Sequence, residues 1–258
     1  MNNILIKVEN LVKTFGGLVA LNDCSLEIKD KAITGIIGPN GSGKTTLFTV
    51  ITGNLKPDTG KVFYNGVEIT NEESHDLFHL GVLRTFQIAH EFSNMTVIEN
   101  LMVVPGNQKG EKLLYSLMNS QKIKKEDELI KDKAMEVLKF LKIEHLKNER
   151  AGNLSGGQKK LLELARTMMV DAKIVFLDEV GAGVNKTLLR DISDSILKLN
   201  QDKGYTFCMI EHDFNFISEL CDPVIVLAEG SVLFKGSAEE VKSNEQVIES
   251  YLGKGLKK

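Results

Sequence analysis

Eight consecutive residues have the composition of a phosphate-binding loop. They read GPNGSGKT at positions 38–45 and match the pattern G-x-x-x-x-G-K-[ST] in full, after an apolar run and before an apolar helical pattern. Glycines allow successive backbone N–H groups to converge on an anion at a helix N-terminus. Lys44 adds charge for the β- and γ-phosphates, and Thr45 offers a hydroxyl to Mg²⁺. This context favours a nucleotide site over a glycine turn without a ligand. The candidate contacts are Gly38, Pro39, Asn40, Gly41, Ser42, Gly43, Lys44, Thr45 and Thr46.

Two adjacent carboxylates could supply the complementary chemistry. Asp178 and Glu179 directly follow the apolar run IVFL at 174–177. An acidic residue at the carboxyl end of a buried strand lies where α/β sheets bind their ligands. We expect Asp178 to hold Mg²⁺ through its water shell and Glu179 to orient or deprotonate an attacking water. Alone, the pair could be a strand-end cap. With the loop at 38–45 upstream, it predicts nucleotide hydrolysis.

The elements around these residues predict an α/β fold. Alternation at 4–8 and 24–28 predicts strands, and Asn65-Gly66 within VFYNGVEI predicts a two-residue hairpin turn. Longer apolar runs separated by helix-length spacers predict parallel strands buried on both faces. These runs lie at 32–37, 174–177, 205–210 and 224–228, and SVLFKG at 231–236 predicts a final hairpin arm.

Helical periodicity dominates the middle of the chain. Ala134, Val137, Leu138 and Leu141 form one apolar stripe, preceded by a charged stretch that we interpret as a solvated helix face. Ser155 begins a second helix. Its predicted apolar stripe consists of Leu161, Leu164, Ala165, Met168 and Met169.

Composition narrows the function classes. The 258 residues carry a formal net charge of -3, so no global basic field favours nucleic acid, and we expect no nucleic-acid partner. Cys24, Cys208 and Cys221 are widely spaced without a CxxC, which suits a reducing cytosol. The start MNNILIKVEN does not resemble a signal peptide, and no run approaches the ~20 apolar residues of a membrane span. We therefore expect any membrane role to come through a partner.

One motif distinguishes among phosphate-loop proteins. Residues 154–158 read LSGGQ and match, letter for letter, the signature of the ATP-binding-cassette (ABC) family, which the chain resembles over essentially its whole length. Further motifs occur in the order of that family. Gln87 in RTFQ resembles its Q-loop, AGVN at 182–185 its D-loop, His212 in IEHD its switch histidine, and Phe15 its adenine-stacking aromatic.

The resemblance implies a P-loop NTPase fold of two lobes. A RecA-like core with an antiparallel β arm would occupy about 1–87 and 166–258, and a helical lobe inserted at about 88–165 would carry the signature. It implies ATP and Mg²⁺ as cofactors, with Thr45, Gln87 and Asp178 at the metal. Lys44, Gln87, Glu179 and His212 would be catalytic. Two copies would meet head to tail, so that each ATP also contacts Ser155, Gly156, Gly157 and Gln158 of the other copy.

Shorter phrases indicate a subfamily. GVLRTFQ, ENLMV, IEHDF and VIESYLG resemble the ATPase subunits of branched-chain amino acid importers. The resemblance implies integral membrane permease partners, a cytoplasmic position at the inner face of the membrane, and a dimer of identical or paralogous ATPases. Close relatives handle urea, amides or other small polar solutes.

Some alternatives stay open. Val180 stands where the family usually has proline, and Val180-Gly181 leaves the D-loop backbone freer than proline would. A soluble ABC ATPase outside transport is one alternative, although no coiled-coil insertion or second cassette is present. A nucleotide-gated switch without turnover would be favoured if Glu179 or His212 were missing, and both are present. A phosphotransfer kinase is disfavoured by the signature.

Overall fold

The structure is a computed structural model that describes residues 3–85, 91–106, 108 and 120–252. The chain divides into two compact units. The core unit comprises Met1–Gln87, Lys173–Gly181 and Leu197–Lys258, and the helical unit comprises Ile88–Ala172 and Ala182–Ile196.

Strands and helices follow one another in the order predicted for an α/β chain. The described strands are β1 Ile4–Phe15, β2 Leu18–Lys29, β3 Ile33–Ile37, β4 Thr59–Tyr64, β5 Val67–Glu68, β6 Val82–Arg84, β7 Ile174–Asp178, β8 Thr206–Ile210, β9 Val224–Ala228 and β10 Ser231–Gly236. The described α-helices are α1 Lys44–Ile51, α2 Ser74–His79, α3 Val97–Met102, α4 Ser120–Phe140, α5 Gly156–Met168, α6 Lys186–Lys203, α7 Phe214–Leu220, α8 Ala238–Ser243 and α9 Glu245–Leu252.

The core unit contains two sheets. An antiparallel sheet has the order β2-β1-β4-β5, and the predicted hairpin is confirmed, with Asn65 and Gly66 both at positive φ (49° and 81°). The other sheet has the order β10-β9-β3-β8-β7-β6. Its strands are parallel except for β10, which pairs antiparallel with β9. Every residue of β3, β7 and β8 is buried, as their unbroken apolar runs predict.

One hydrophobic core joins both sheets with α1. Phe48 of α1 meets Phe176 of β7 edge to face, with ring centroids 4.9 Å apart. This packing fixes α1 against the middle of β7. Cys24, Cys208 and Cys221 are buried free thiols, and burial raises the pKa of Cys24 to about 12.

The helical unit contains α3, α4, α5 and the first part of α6. Ala134, Val137 and Leu138 of α4 are buried as predicted, and the charged stretch before them is largely exposed. This unit differs from the predicted lobe at 88–165. It runs on to Ala172 because α5 ends only at Met168, and it includes Ala182–Ile196. The second extension has a packing cause, since Leu188 lies so close to Gly157 that a Cβ there would meet its Cδ2 at 2.2 Å.

No α-helix in the described part of the chain is both long and apolar enough to cross a membrane.

Candidate functional site

The loop from Gly38 to Gly43 joins β3 to α1 at the carboxyl edge of the parallel sheet. Two of its glycines are required by close backbone approaches. At Gly38 (φ 153°) a Cβ would meet the Leu227 carbonyl oxygen at 2.1 Å, and at Gly43 (φ 97°) it would meet that of Ala20 at 2.4 Å. Larger residues would push the loop off the sheet, so these glycines are fixed by the fold as well as by any ligand.

Lys44 is buried at the first turn of α1 and folds back over the loop. Its Nζ donates to the carbonyl oxygens of Gly38 (2.8 Å) and Pro39 (3.0 Å). Burial lowers the pKa of Lys44, and the nearby charges of Glu179 and Asp178 oppose that shift. The ammonium group is therefore bound to the loop and feels the charge of both carboxylates that the sequence predicts for the site.

Ser42 supports an anion site inside the loop. Its side chain is buried, and its Oγ has no hydrogen-bond partner within the described residues. A buried hydroxyl without a partner is costly, and a phosphate oxygen would satisfy it. The loop residues present thus fit a nucleotide. Thr45 is exposed and Thr46 half-buried at the start of α1, and Asn40 and Gly41 are exposed.

Strand register brings the predicted catalytic residues together. Asp178 pairs with Ile210 across β7 and β8, so Glu179 and His212 leave neighbouring strands at the same edge. His212 Nε2 lies 2.9 Å from Glu179 Oε1. Glu179 adopts a left-handed backbone conformation (φ 51°), in which its N–H donates to the Ile210 carbonyl at 3.0 Å. A non-glycine residue held this way is unusual and typical of functional sites.

Two contacts at this edge were missed by sequence reasoning. The Arg84 guanidinium lies 2.8 Å from Asp178 Oδ2, and Glu211 Oε1 accepts from the Gly181 N–H at 2.8 Å. Burial raises the pKa of Glu211. Val180 is buried directly before Gly181, so this side chain and the Glu211 hydrogen bond restrain the segment that lacks the family's proline. In the sequence, only the position of Arg84 within the phrase GVLRTFQ could have indicated that it belongs to the site.

The candidate donors for a divalent ion are the Asp178 carboxylate and the Thr45 hydroxyl. Asp178 is tied by Arg84 to Thr49, which is one helical turn beyond Thr45 on α1. Hard oxygen donors of this kind suit Mg²⁺, which usually takes one or two protein ligands plus phosphate oxygens. No group of three or more His, Cys, Asp or Glu able to hold a metal occurs in the described residues. Gln87, predicted at the metal and in catalysis, lies outside the described residues.

Phe15 ends β1 with its ring about half exposed (48%). Asp58 holds the preceding residue: its Oδ2 accepts from both the N–H and the hydroxyl of Thr14 at 2.7 Å. Its Oδ1 lies 2.8 Å from Lys13 Nζ, which in turn lies 5.8 Å from the Phe15 ring centroid. Phe15 is therefore not a core residue but a ring presented at the end of a restrained strand.

The predicted signature residues lie in the helical unit. Ser155 caps α5 through a capping box, in which the Ser155 N–H donates to Gln158 Oε1 at 2.9 Å and Ser155 Oγ accepts from the Gln158 N–H at 3.4 Å. Gly157 is packed against Leu188. Gly156 is exposed, and among the described residues a Cβ there would meet no atom closer than 4.0 Å. Packing within the described part of the chain therefore explains Gly157 but not Gly156.

Comparison with known proteins identifies the family. Residues 21–182, more than half of the chain, match the family model described as "ABC transporter". The chain belongs to this family. Residues 231–257 match a second model, described as "Branched-chain amino acid ATP-binding cassette transporter". The predictions of a P-loop α/β fold and of an ABC protein are thereby confirmed.

Relatives of this ABC protein match over nearly their full length. It is 43% identical over 249 residues to the probable branched-chain amino acid transport ATP-binding protein LivG of Archaeoglobus fulgidus, covering 96% of this chain and 95% of the relative. It is 34% identical over 253 residues to the high-affinity branched-chain amino acid transport ATP-binding protein BraF of Pseudomonas aeruginosa, covering 98% and 99%. The predicted resemblance to this kind of transport ATPase is confirmed.

Solved structures agree with the fold. A nucleotide-free ATP-binding cassette from an ABC transporter superposes with a TM-score of 0.83 at 41% identity, covering 97% of this chain and 99% of that one. The ADP conformation of an ATP-binding cassette gives 0.82 at 40% identity, with the same coverage.

Proposed function

We propose that this ABC protein hydrolyses Mg–ATP to ADP and phosphate and thereby powers a membrane importer of branched-chain amino acids. One observation carries the hydrolytic part. The phosphate loop with Lys44, the Asp178 carboxylate and the Glu179–His212 pair all lie at the carboxyl edge of one parallel sheet. The solute is inferred from the relatives' names and from the match at residues 231–257.

The phosphate loop binds and orients the nucleotide. Backbone N–H groups between Gly38 and Thr45 and the Ser42 hydroxyl donate to phosphate oxygens, and Lys44 moves its ammonium from the loop carbonyls to the β- and γ-phosphates. Phe15 offers its exposed face to the adenine. Thr45 and Asp178 are the residues that would hold Mg²⁺, with Gln87 as a third candidate. The ion, when bound, offsets negative charge on the phosphates.

Glu179 acts on the attacking water. The water oxygen bonds to the γ-phosphorus as the bond from that phosphorus to the bridging oxygen of ADP breaks, and the Glu179 carboxylate accepts a proton of the water. The products are ADP and inorganic phosphate. His212 holds Glu179 through the 2.9 Å contact and faces the same edge. Positioning and electrostatic stabilisation supply most of the catalysis in phosphoryl transfer. The contacts that hold Glu179 in place therefore contribute directly to the rate.

The signature residues are proposed to serve a second copy. Ser155, Gly156 and Gly157 begin α5, where the helix dipole and free N–H groups favour an anion. The exposed Gly156 has open space that a phosphate group of the partner's nucleotide could approach. The proposed assembly is a head-to-tail dimer, with an identical or a paralogous chain, docked on permease subunits at the inner face of the membrane.

Uptake in cells tests this function. Deleting the gene for this chain should abolish uptake of radiolabelled leucine, isoleucine and valine, and the wild-type chain should restore it. Glu179→Gln should not restore uptake, although it keeps the shape of the side chain. Intact amino acid uptake in the deletion strain, with loss of urea or amide uptake instead, would overturn the solute assignment. If no solute uptake changes, the chain is an ABC ATPase outside transport.

A further inference from the structure

Arg84 links Asp178, one predicted metal ligand, to α1, the helix that carries Thr45, the other predicted ligand. It is the last residue of β6 and pairs with Phe176 of β7, two residues before Asp178. Its Nη2 lies 2.8 Å from Asp178 Oδ2, and its Nη1 donates to Thr49 Oγ1 at 2.9 Å. The Thr49 hydroxyl donates in turn to the Thr45 carbonyl at 2.6 Å. A continuous chain of hydrogen bonds therefore runs from Asp178 to the residue that offers its hydroxyl to the metal.

The charge balance at Asp178 depends on this contact. The Asp178 side chain is only 3% exposed and that of Arg84 only 11%. A carboxylate so far from water needs a positive charge close to it. Without Arg84 the Asp178 carboxylate would lose its ion-pair partner, and the nearby Lys44 ammonium is hydrogen-bonded to the loop carbonyls of Gly38 and Pro39. Arg84 suits this role because a guanidinium stays charged and forms two directed contacts at once.

We propose that Arg84 is the resident counter-ion of Asp178, with which a divalent ion must compete to reach that carboxylate. Metal alone would gain little there, because it faces a guanidinium already bound. Metal arriving with a nucleotide brings the phosphate charges that offset the repulsion. Arg84 would thus make metal binding depend on nucleotide, and it would act as a positioning residue by holding Asp178 against α1. This inference rests on the proposed function, which assigns Asp178 to the metal.

Thermal unfolding of the whole chain tests the pairing first. Arg84→Met should lower Tm in the absence of metal and nucleotide. Arg84→Met combined with Asp178→Asn should have a smaller cost than the sum of the two single changes, because the buried carboxylate that lost its ion-pair partner is gone as well. Lys61→Met is the matched control, since it removes a cation from an exposed ion pair of the same unit (Lys61–Glu68, 2.9 Å) and should change Tm little. Additive costs for Arg84 and Asp178 would overturn the counter-ion role.

Metal binding then tests the competition. Mn²⁺ titration by electron paramagnetic resonance without nucleotide should give tighter binding in Arg84→Met than in the wild type, and Asp178→Asn should remove that gain. Arg84→Lys keeps the charge, so its Mn²⁺ binding should stay near the wild-type level. If Arg84→Met does not fold, Arg84→Lys still tests the pairing. Lysine loses the contact with Thr49, so Arg84→Lys should have a lower Tm than the wild type. Equal Mn²⁺ binding by wild type and Arg84→Met, or tight binding by Arg84→Lys, would overturn the proposal.

The proposed metal-binding role of Asp178 and the counter-ion role of Arg84 can fail separately. If the pairing of Arg84 with Asp178 is confirmed but Mg²⁺ adds nothing to the Tm gain that ADP gives the wild type, Asp178 is not a metal ligand. That result would contradict the proposed role of Asp178 and, with it, the competition. If Mg²⁺ does add to the gain and Mn²⁺ binding is unchanged by Arg84→Met, the proposed function stands and the counter-ion inference is wrong.

Discussion

His212 Nε2 lies 2.9 Å from Glu179 Oε1, and the two side chains differ in exposure, 51% for His212 and 18% for Glu179. Glu179 is held from both ends. Its backbone N–H is bound to Ile210 and its carboxylate to His212, while the following segment is restrained by Glu211 through Gly181. The histidine is the solvent-facing member of the pair.

Removing His212 should therefore slow turnover more than binding. We expect His212→Ala to lower kcat because Glu179 loses its positioning contact, with little change in ATP affinity. A general base contributes about 10²–10⁴-fold, and a residue acting through it should cost less than the base itself. Steady-state ATPase assays and fluorescent ATP binding measure the two effects. His75→Ala, an exposed histidine of the same unit on α2, is the control. Equal losses in the two variants would contradict the role of His212.

Lys44→Ala should abolish ATPase activity. Its ammonium supplies charge at the phosphates, and losing a single stabilising donor already costs about 10²–10³-fold in comparable sites. The change also removes two hydrogen bonds to the loop carbonyls of Gly38 and Pro39, so Tm must be measured alongside turnover. Near-normal turnover by folded Lys44→Ala protein would contradict the whole assignment of the site.

Phe15→Ala should weaken ATP binding through the base. Stacking of one base on an aromatic ring contributes roughly 1–3 kcal/mol, so the Kd should rise about 5- to 150-fold. Asp58→Ala should weaken binding in the same direction, since Asp58 fixes Thr14 beside the ring. Hydrogen bonds from Lys13 and Thr14 lower the pKa of Asp58 to about 2, so this contact persists at neutral pH.

A double-mutant cycle separates the two residues. Once Phe15 is alanine, Asp58→Ala should have no further effect on ATP binding. Glu68→Ala is the matched control, because Glu68 likewise contacts a lysine and a threonine hydroxyl on the same sheet. If Asp58→Ala still weakens ATP binding in the Phe15→Ala background, Asp58 does not act through the Phe15 ring.

The family resemblance predicts that Gln87 and the segment 88–96 meet the permease, and Phe92 and Met95 lie in that segment. They are exposed (49% and 37%) in a loop that Asn100 holds, and the Arg166 guanidinium lies 5.4 Å from the Phe92 ring centroid. Phe92→Glu and Met95→Glu should change the free energy of unfolding by only about 0.5 kcal/mol, as surface substitutions do. ATP binding should persist while amino acid uptake is lost. Leu129→Glu, exposed on α4, should leave uptake intact. Unfolded variants would instead indicate that the packing of this loop, and not permease contact, depends on these side chains.

Much of this site could be predicted from local sequence. The loop at 38–45, the strand-end pair Asp178-Glu179 and the Ser155 cap depend on residues adjacent in the chain, where pattern and geometry coincide. Arg84 could not be predicted, because its partner is 94 residues away and depends on the register of β6 with β7. The extent of the helical unit also failed to follow from pattern, because the Leu188–Gly157 packing involves residues far apart in sequence.

Glu179→Gln tests hydrolysis and dimerisation together. The amide keeps the shape of the carboxylate but cannot accept the water's proton, so the variant should bind Mg–ATP and hardly turn it over. The intact γ-phosphate should then hold closed dimers, which would elute at twice the monomer mass on a sizing column with ATP. ADP should not support them, because a ligand shifts an equilibrium only through contacts that differ between the two states.

Adding Ser155→Arg should return Glu179→Gln to the monomer with ATP present. Arginine at the exposed start of α5 would block the anion site offered to the partner and leave the phosphate loop of its own chain intact. It also removes a helix cap, which costs about 1 kcal/mol.

Ser237→Arg is the matched control, because Ser237 forms the same kind of capping box with Glu240 at the start of α8. Glu179→Gln with Ser237→Arg should still dimerise. If both arginine variants are monomers, cap loss rather than a blocked anion site is the cause. If Glu179→Gln alone stays monomeric with ATP, mixing it with a paralogous ATPase should yield the heterodimer. Hydrolysis of ATP by Glu179→Gln at the wild-type rate would contradict the catalytic role of Glu179.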